Sequence, residues 1–105
     1  MLYLNLSFIE QHYSEDISIE DISSFCGLNR SYFSKVFRDT MGESPQGFLL
    51  HYRMARAAQL LTESRLPIRT ISTMVSYPNQ LHFSRAFKNV YGISPRDYRA
   101  KHFAL

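Results

Sequence analysis

The stretch Asn29–Pro45 reads NRSYFSKVFRDTMGESP, and fifty residues later Asn79–Pro95 reads NQLHFSRAFKNVYGISP. Both begin with Asn, a residue that caps helices through its side-chain oxygen. Both continue with Phe-Ser-base at Phe33-Ser34-Lys35 and Phe83-Ser84-Arg85, then with Phe37-Arg38 and Phe87-Lys88. Phenylalanines four residues apart lie on one face of a helix. Gly42 and Gly92 end each run, and Ser44-Pro45 and Ser94-Pro95 open the next helix with a cap and a first-turn proline. The inward residues of the first copy are expected to be Tyr32, Phe33, Val36 and Phe37, and those of the second Phe83, Ala86 and Phe87.

A short helix is expected ahead of each copy. Ser18 caps the first, with Asp21 completing a capping box and Ile19, Ile22 and Phe25 on one side. Gly27 stops it. Pro67 introduces the second, carrying Ile68, Ile71, Met74 and Val75, and Ser76 to Asn79 makes its turn. Leu2, Leu6, Ile9 and Tyr13 place a further helix at the start. Between the copies, residues 45–62 read as a long helix with a buried stripe of Phe48, Tyr52, Ala55, Ala58 and Leu61. The last helix runs from Ser94-Pro95 to about Lys101, with Ser94 and Asp97 as another box.

The reading is all-α: about seven helices, forming two helix-turn-helix subdomains over 5–43 and 67–102, joined by a connecting helix over 44–62 within one domain of 1–105. A short helix, a tight turn and a second helix with a polar outer face make a helix-turn-helix. Packing alone explains the repeated phenylalanines, glycines and caps. It does not explain a base at both Lys35 and Arg85.

The composition is globular, 45% hydrophobic and 20% charged over 105 residues. No apolar run is long enough to span a bilayer, and the start lacks the features of a secretory signal. The single cysteine, Cys26, cannot form an internal disulfide and is expected to be a small buried side chain, which fits a cytoplasmic protein. The net charge is +3. All twelve Lys and Arg lie from Arg30 onward, whereas residues 1–29 hold only acids. That asymmetry favours a polyanion partner for the later part of the chain.

The arrangement resembles the C-terminal DNA-binding domain of the AraC/XylS family of bacterial transcription regulators, over about Phe8 to Lys101. The second half carries the more specific motif, ISTMVSYPNQLHFSRAFKNVYGISPRDYR, in which Phe83, Ser84, Arg85, Phe87, Lys88, Gly92, Pro95, Tyr98 and Arg99 match. Ser76-Tyr77 stands where the family usually has Gly-Phe, and serine tolerates a left-handed backbone less well than glycine.

The outward stripe of the first copy is Arg30, Ser31, Ser34, Lys35 and Arg38. That of the second is Asn79, Gln80, Leu81, Ser84, Arg85 and Lys88. An arginine fork matches guanine, Gln matches an adenine edge, and Leu81 suits a thymine methyl. Arg85 is therefore the leading base-contact candidate, while Arg38 and Lys88 are assigned to phosphate. The resemblance places Ser31, Ser34, Lys35, Gln80, Leu81, Ser84 and Arg85 on the readout surface. A wholly helical 45–62 would span roughly 27 Å, against roughly 34 Å between successive major-groove openings on one DNA face.

The expected function is sequence-specific binding of double-stranded promoter DNA by two recognition helices in adjacent major-groove segments. The competing reading is a helical protein-interaction domain without sequence-specific DNA binding. RNA polymerase is a second expected partner, and no membrane role is expected. The resemblance implies transcription activation in many members, but no residue here selects activation over repression. Family members usually carry a separate effector or dimerisation domain. None fits in this chain, which is expected to be an excised C-terminal domain. No catalytic, cofactor or metal residues are expected: His12, His51, His82 and His102 are widely spaced, and Ser34 and Ser84 lack an acid–base partner.

Overall fold

The computed structural model describes residues 2–102, with side chains from Leu6 onward. The expected inward position of Leu2 lies outside the described side chains. Among the described residues seven helices follow one another: α1 (Leu2–His12), α2 (Ile19–Phe25), α3 (Arg30–Met41), α4 (Pro45–Glu63), α5 (Ile68–Met74), α6 (Gln80–Tyr91) and α7 (Pro95–His102). The chain divides into two compact units, one ending at Leu50 and the other beginning at His51. Each holds a helix-turn-helix pair, and α4 runs unbroken from one into the other. No described helix is long and apolar enough to cross a membrane.

In the first unit each break in the helices has a local cause. Both arms of the Ser18 capping box form: the Ser18 amide donates to Asp21 Oδ2 at 2.8 Å, and the Asp21 amide to Ser18 Oγ at 3.1 Å. After α2 the backbone turns left-handed at Gly27, φ +70°, and the Leu28 amide bonds the Ser23 carbonyl at 2.9 Å. The Tyr32 amide donates to Asn29 Oδ1 at 2.9 Å to start α3. Ile9, Ile19, Ile22, Phe33, Phe37 and Leu49 are buried. Phe37 packs on Phe33 and meets Phe48 edge-on, with centroids 5.7 and 5.5 Å apart.

The second unit repeats the device with different chemistry at the turn. α5 starts after Pro67 without a side-chain cap. The left-handed position is Ser76, φ +68°, the one non-glycine residue at positive φ among the described residues. The Tyr77 amide bonds the Ser72 carbonyl at 2.9 Å, and the Ser72 hydroxyl donates to the Tyr77 carbonyl. Asn79 Oδ1 accepts from the amides of Leu81 and His82. The core is Met54, Ala57, Ala58, Leu61, Ile71, Val75, Phe83 and Phe87. An aromatic series continues through Phe87, Tyr91, Tyr98 and His102. At the start of α7 the Asp97 amide donates to Ser94 Oγ at 3.1 Å.

Several expected inward residues lie elsewhere. Tyr32 is 52% exposed, since the α3 core face is set by Phe33 and Phe37 and leaves the preceding position to one side. Phe25 is also 52% exposed, and its ring lies 4.7 Å from Phe8 rather than in the core. Met74, at the end of α5, is exposed as well. The α4 stripe is out of register: Ala55 is exposed and Phe48 and Tyr52 are half-buried, whereas Leu49, Met54 and Ala57 are buried with Ala58 and Leu61. Each unit takes its own set of α4 side chains, so a single stripe drawn along the whole helix fails. Cys26 is half-buried at the C-cap of α2, not enclosed, and burial pushes its thiol up from the ordinary range.

Candidate nucleic-acid interface

Burying Phe33 and Phe37 on one side of α3 turns Arg30, Ser31, Lys35 and Arg38 outward, and all four are exposed. Ser34 lies at the edge of that face and is half-buried. In the second unit the same logic exposes Gln80, Leu81, Arg85 and Lys88 on α6, with Ser84 half-buried. Asn79 is exposed but is the N-cap of α6, its oxygen already accepting two amide protons. Leu81 is 57% exposed, an apolar side chain with no core to fill. The expected stripes therefore exist as surfaces, one in each unit.

Their electrostatics differ. In the first unit the Arg30 guanidinium pairs with Glu20 on α2 at 2.5 Å. The Glu20 carboxyl is held below its usual range, against desolvation, first by a backbone hydrogen bond and then by Arg30 beside it. Lys35 lies 3.6 Å from Asp39 one turn along α3. The Arg38 side chain has no hydrogen-bond or ion-pair partner among the described residues. In the second unit neither the Arg85 nor the Lys88 side chain has such a partner among them. Exposed pairs of this kind contribute little to stability and open readily to another anion.

A cavity of about 200 Å³ lies beside α3 in the first unit. Arg30, Ser34 and Arg38 line it from α3, and Ser44 and Gln46 from the beginning of α4. Ser44 and Gln46 were not among the expected site residues. Their signal was the repeat itself, since Ser94 and Arg96 occupy the matching places in the second copy. Ser23 and Ser72 are both buried, each four residues before its left-handed turn.

Arg99, matched in sequence but given no role, is structural. Its Nε donates to the Leu61 carbonyl at 3.0 Å and its Nη2 to the Ser64 carbonyl at 3.3 Å. These carbonyls lie at and just past the C-terminal end of α4, where the last carbonyls of a helix have no intrahelical partner. Among the described residues no three or more His, Cys, Asp or Glu gather as a metal site.

A family model described as a helix-turn-helix domain matches residues 22–101. The probable transcriptional regulator LumQ of Photobacterium leiognathi is 34% identical over 93 residues, 89% of this chain and 38% of that protein. The Msm operon regulatory protein of Streptococcus mutans is 37% identical over 91 residues, 87% of this chain and 33% of that protein. The chain thus spans about a third of the length of the curated relatives it matches. Among solved structures, the C-terminal domain of AraT, a response regulator from Geobacillus stearothermophilus, superposes with a TM-score of 0.93 at 33% identity, covering 96% of this chain and 84% of that one. Two helix-turn-helix pairs with outward polar helices, a matching family model and this close structural likeness lead to one statement: the chain belongs to the helix-turn-helix domain family and resembles the DNA-binding domains of bacterial transcriptional regulators.

Proposed function

We propose that the chain binds double-stranded DNA sequence-specifically, as the C-terminal DNA-binding domain of a bacterial transcription regulator of the AraC/XylS type. The observation that carries this reading is the doubled outward stripe. Each unit buries two phenylalanines of its second helix and, at the same register, sets a half-buried hydroxyl beside an exposed base, Ser34-Lys35 and Ser84-Arg85. A helix of this width fits the major groove. α3 and α6 are then the two recognition helices. Arg85 and Gln80 read base edges, Leu81 meets a thymine methyl, and Ser31, Ser34, Lys35 and Ser84 complete the readout. Arg38 and Lys88 hold phosphates, and Arg30 reaches DNA after leaving Glu20.

α4 supports two-segment reading, since its 19 residues extend about 28 Å. Promoter DNA is the partner. An effector or dimerisation domain belongs to the remainder of the full-length regulator, and RNA polymerase contact belongs to that regulator's work at a promoter. Selection of bound duplexes from a random DNA pool tests the reading. The expected result is enrichment of an asymmetric site with two conserved segments and a steep loss of affinity with salt. Failure to enrich any duplex, with weak and salt-insensitive binding, would make the chain a protein-interaction domain instead.

A further inference from the structure

The cavity beside α3 is lined by two arginines from one helix and by two hydroxyls and an amide around them. Such a set suits one kind of ligand, a compact anion with several acceptor oxygens. Among the described residues the sole carboxylate paired with these arginines is Glu20, on Arg30, and the Arg38 side chain has no partner.

The internal repeat adds an independent observation. At the places of Arg30, Ser34, Arg38, Ser44 and Gln46 the second copy has Gln80, Ser84, Lys88, Ser94 and Arg96. The two serines stay and the middle position stays a base. The arginine and the glutamine at the two ends have exchanged places, so each copy keeps two cations and one amide. A solvated helix face does not require that compensation. A fixed anion to be held does.

We infer that this cavity is a seat for one phosphate of the DNA backbone. Arg38 and Arg30 donate to its oxygens, Ser34, Ser44 and Gln46 complete the ring of donors, and Glu20 acts as the internal counterion that the phosphate displaces. The inference rests on the DNA reading above and adds to it. Ser34 becomes a backbone contact rather than a base contact, and Ser44 and Gln46, outside the helix-turn-helix pair, join the interface. In the free protein Glu20 occupies Arg30, so binding exchanges one ion pair for another and affinity is held below its ceiling.

The test uses a duplex selected by the protein, with single phosphates replaced one at a time by neutral methylphosphonates. With the unaltered protein, one position in the segment read by α3 should cost about tenfold in affinity, the loss expected for a charge-assisted contact. In Arg38→Ala, and separately in Gln46→Ala, the penalty at that position should largely vanish while penalties elsewhere persist. Both residues are exposed, and matching circular dichroism melts confirm that each variant is folded. Glu20→Gln should tighten binding about two- to fivefold, and not when Arg30→Ala is already present. If the protein binds duplex but every methylphosphonate penalty is the same in Arg38→Ala and Gln46→Ala as in the original, the seat is wrong and the DNA reading stands. If no duplex binds, the reading fails and the seat falls with it.

Discussion

Ser76→Gly should stabilise the second unit. Ser76 occupies φ +68°, and its counterpart Gly27 occupies φ +70°. The left-handed region brings the β-carbon of an L residue against the following carbonyl, at about 1–2 kcal/mol. Glycine removes that cost but enlarges the freedom lost on folding, worth about 0.5–1 kcal/mol the other way. The difference is a gain of about 0.5–1 kcal/mol, a rise in melting temperature of about 2–6 °C for a domain of this size. Gly27→Ser supplies the mirror experiment. A β-carbon added at Gly27 meets nothing within 4 Å, so the substitution reports backbone strain without a clash and should cost a similar amount. Urea and thermal unfolding followed by circular dichroism would measure both, with an unchanged urea slope marking a change in stability alone. Should Ser76→Gly lower the midpoint while Gly27→Ser lowers it too, the Ser76 hydroxyl holds something stronger than the strain, and the equivalence of the two turns is refuted.

Arg85→Ala should cost about 1–3 kcal/mol of discrimination at one or two base pairs of a selected site. Lys88→Ala should instead weaken selected and scrambled duplexes alike, which titration of both duplexes would separate. Arg99→Ala should destabilise the second unit by about 1–3 kcal/mol, because the Leu61 and Ser64 carbonyls lose their charged donor. Arg99→Lys should recover only part of that, and denaturant unfolding reads both.

What the sequence revealed was what chain neighbours decide. The Ser18–Asp21 box, the Asn29 and Asn79 caps and the glycine stops at Gly42 and Gly92 each depend on residues within one turn. All were legible, as were Phe33, Phe37, Phe83 and Phe87, whose four-residue spacing fixes the face. The outward stripes followed by subtraction. What failed depends on contacts far apart along the chain. Phe25 and Met74 are apolar enough for a core but are exposed in the folded units, and Tyr32 is left to one side of the face that Phe33 and Phe37 set. The α4 register depends on which turns each unit claims. Arg99 reaches a carbonyl 38 residues away, and no local spacing points to it. The Arg30–Glu20 pair joins helices ten residues apart in sequence, and only the folded first unit brings them together.

The two units share a fold and not a charge. Residues 1–50 hold seven acidic and three basic side chains, formally −4, and residues 51–105 hold two acidic and nine basic, formally +7. The three cations of the first unit, Arg30, Lys35 and Arg38, all lie on α3, and two of them face acids of their own unit. Non-specific attachment to DNA is an electrostatic term that grows with the phosphates neutralised. On the proposed reading that term belongs chiefly to the second unit, where Arg85 and Lys88 have no acidic partner among the described residues. The first unit attracts a random duplex weakly, since Glu20 and Asp39 already satisfy most of its positive charge and its remaining acids repel the backbone. Its ion pairs exchange partners at little cost only where a phosphate and a base edge arrive together in the right geometry. On that reading both units carry base contacts, but the second also supplies most of the attachment that is indifferent to sequence, and the first withholds its cations until the sequence fits. A low non-specific affinity in the first unit raises the specificity ratio more effectively than added attraction would, because added attraction strengthens every competing site as well.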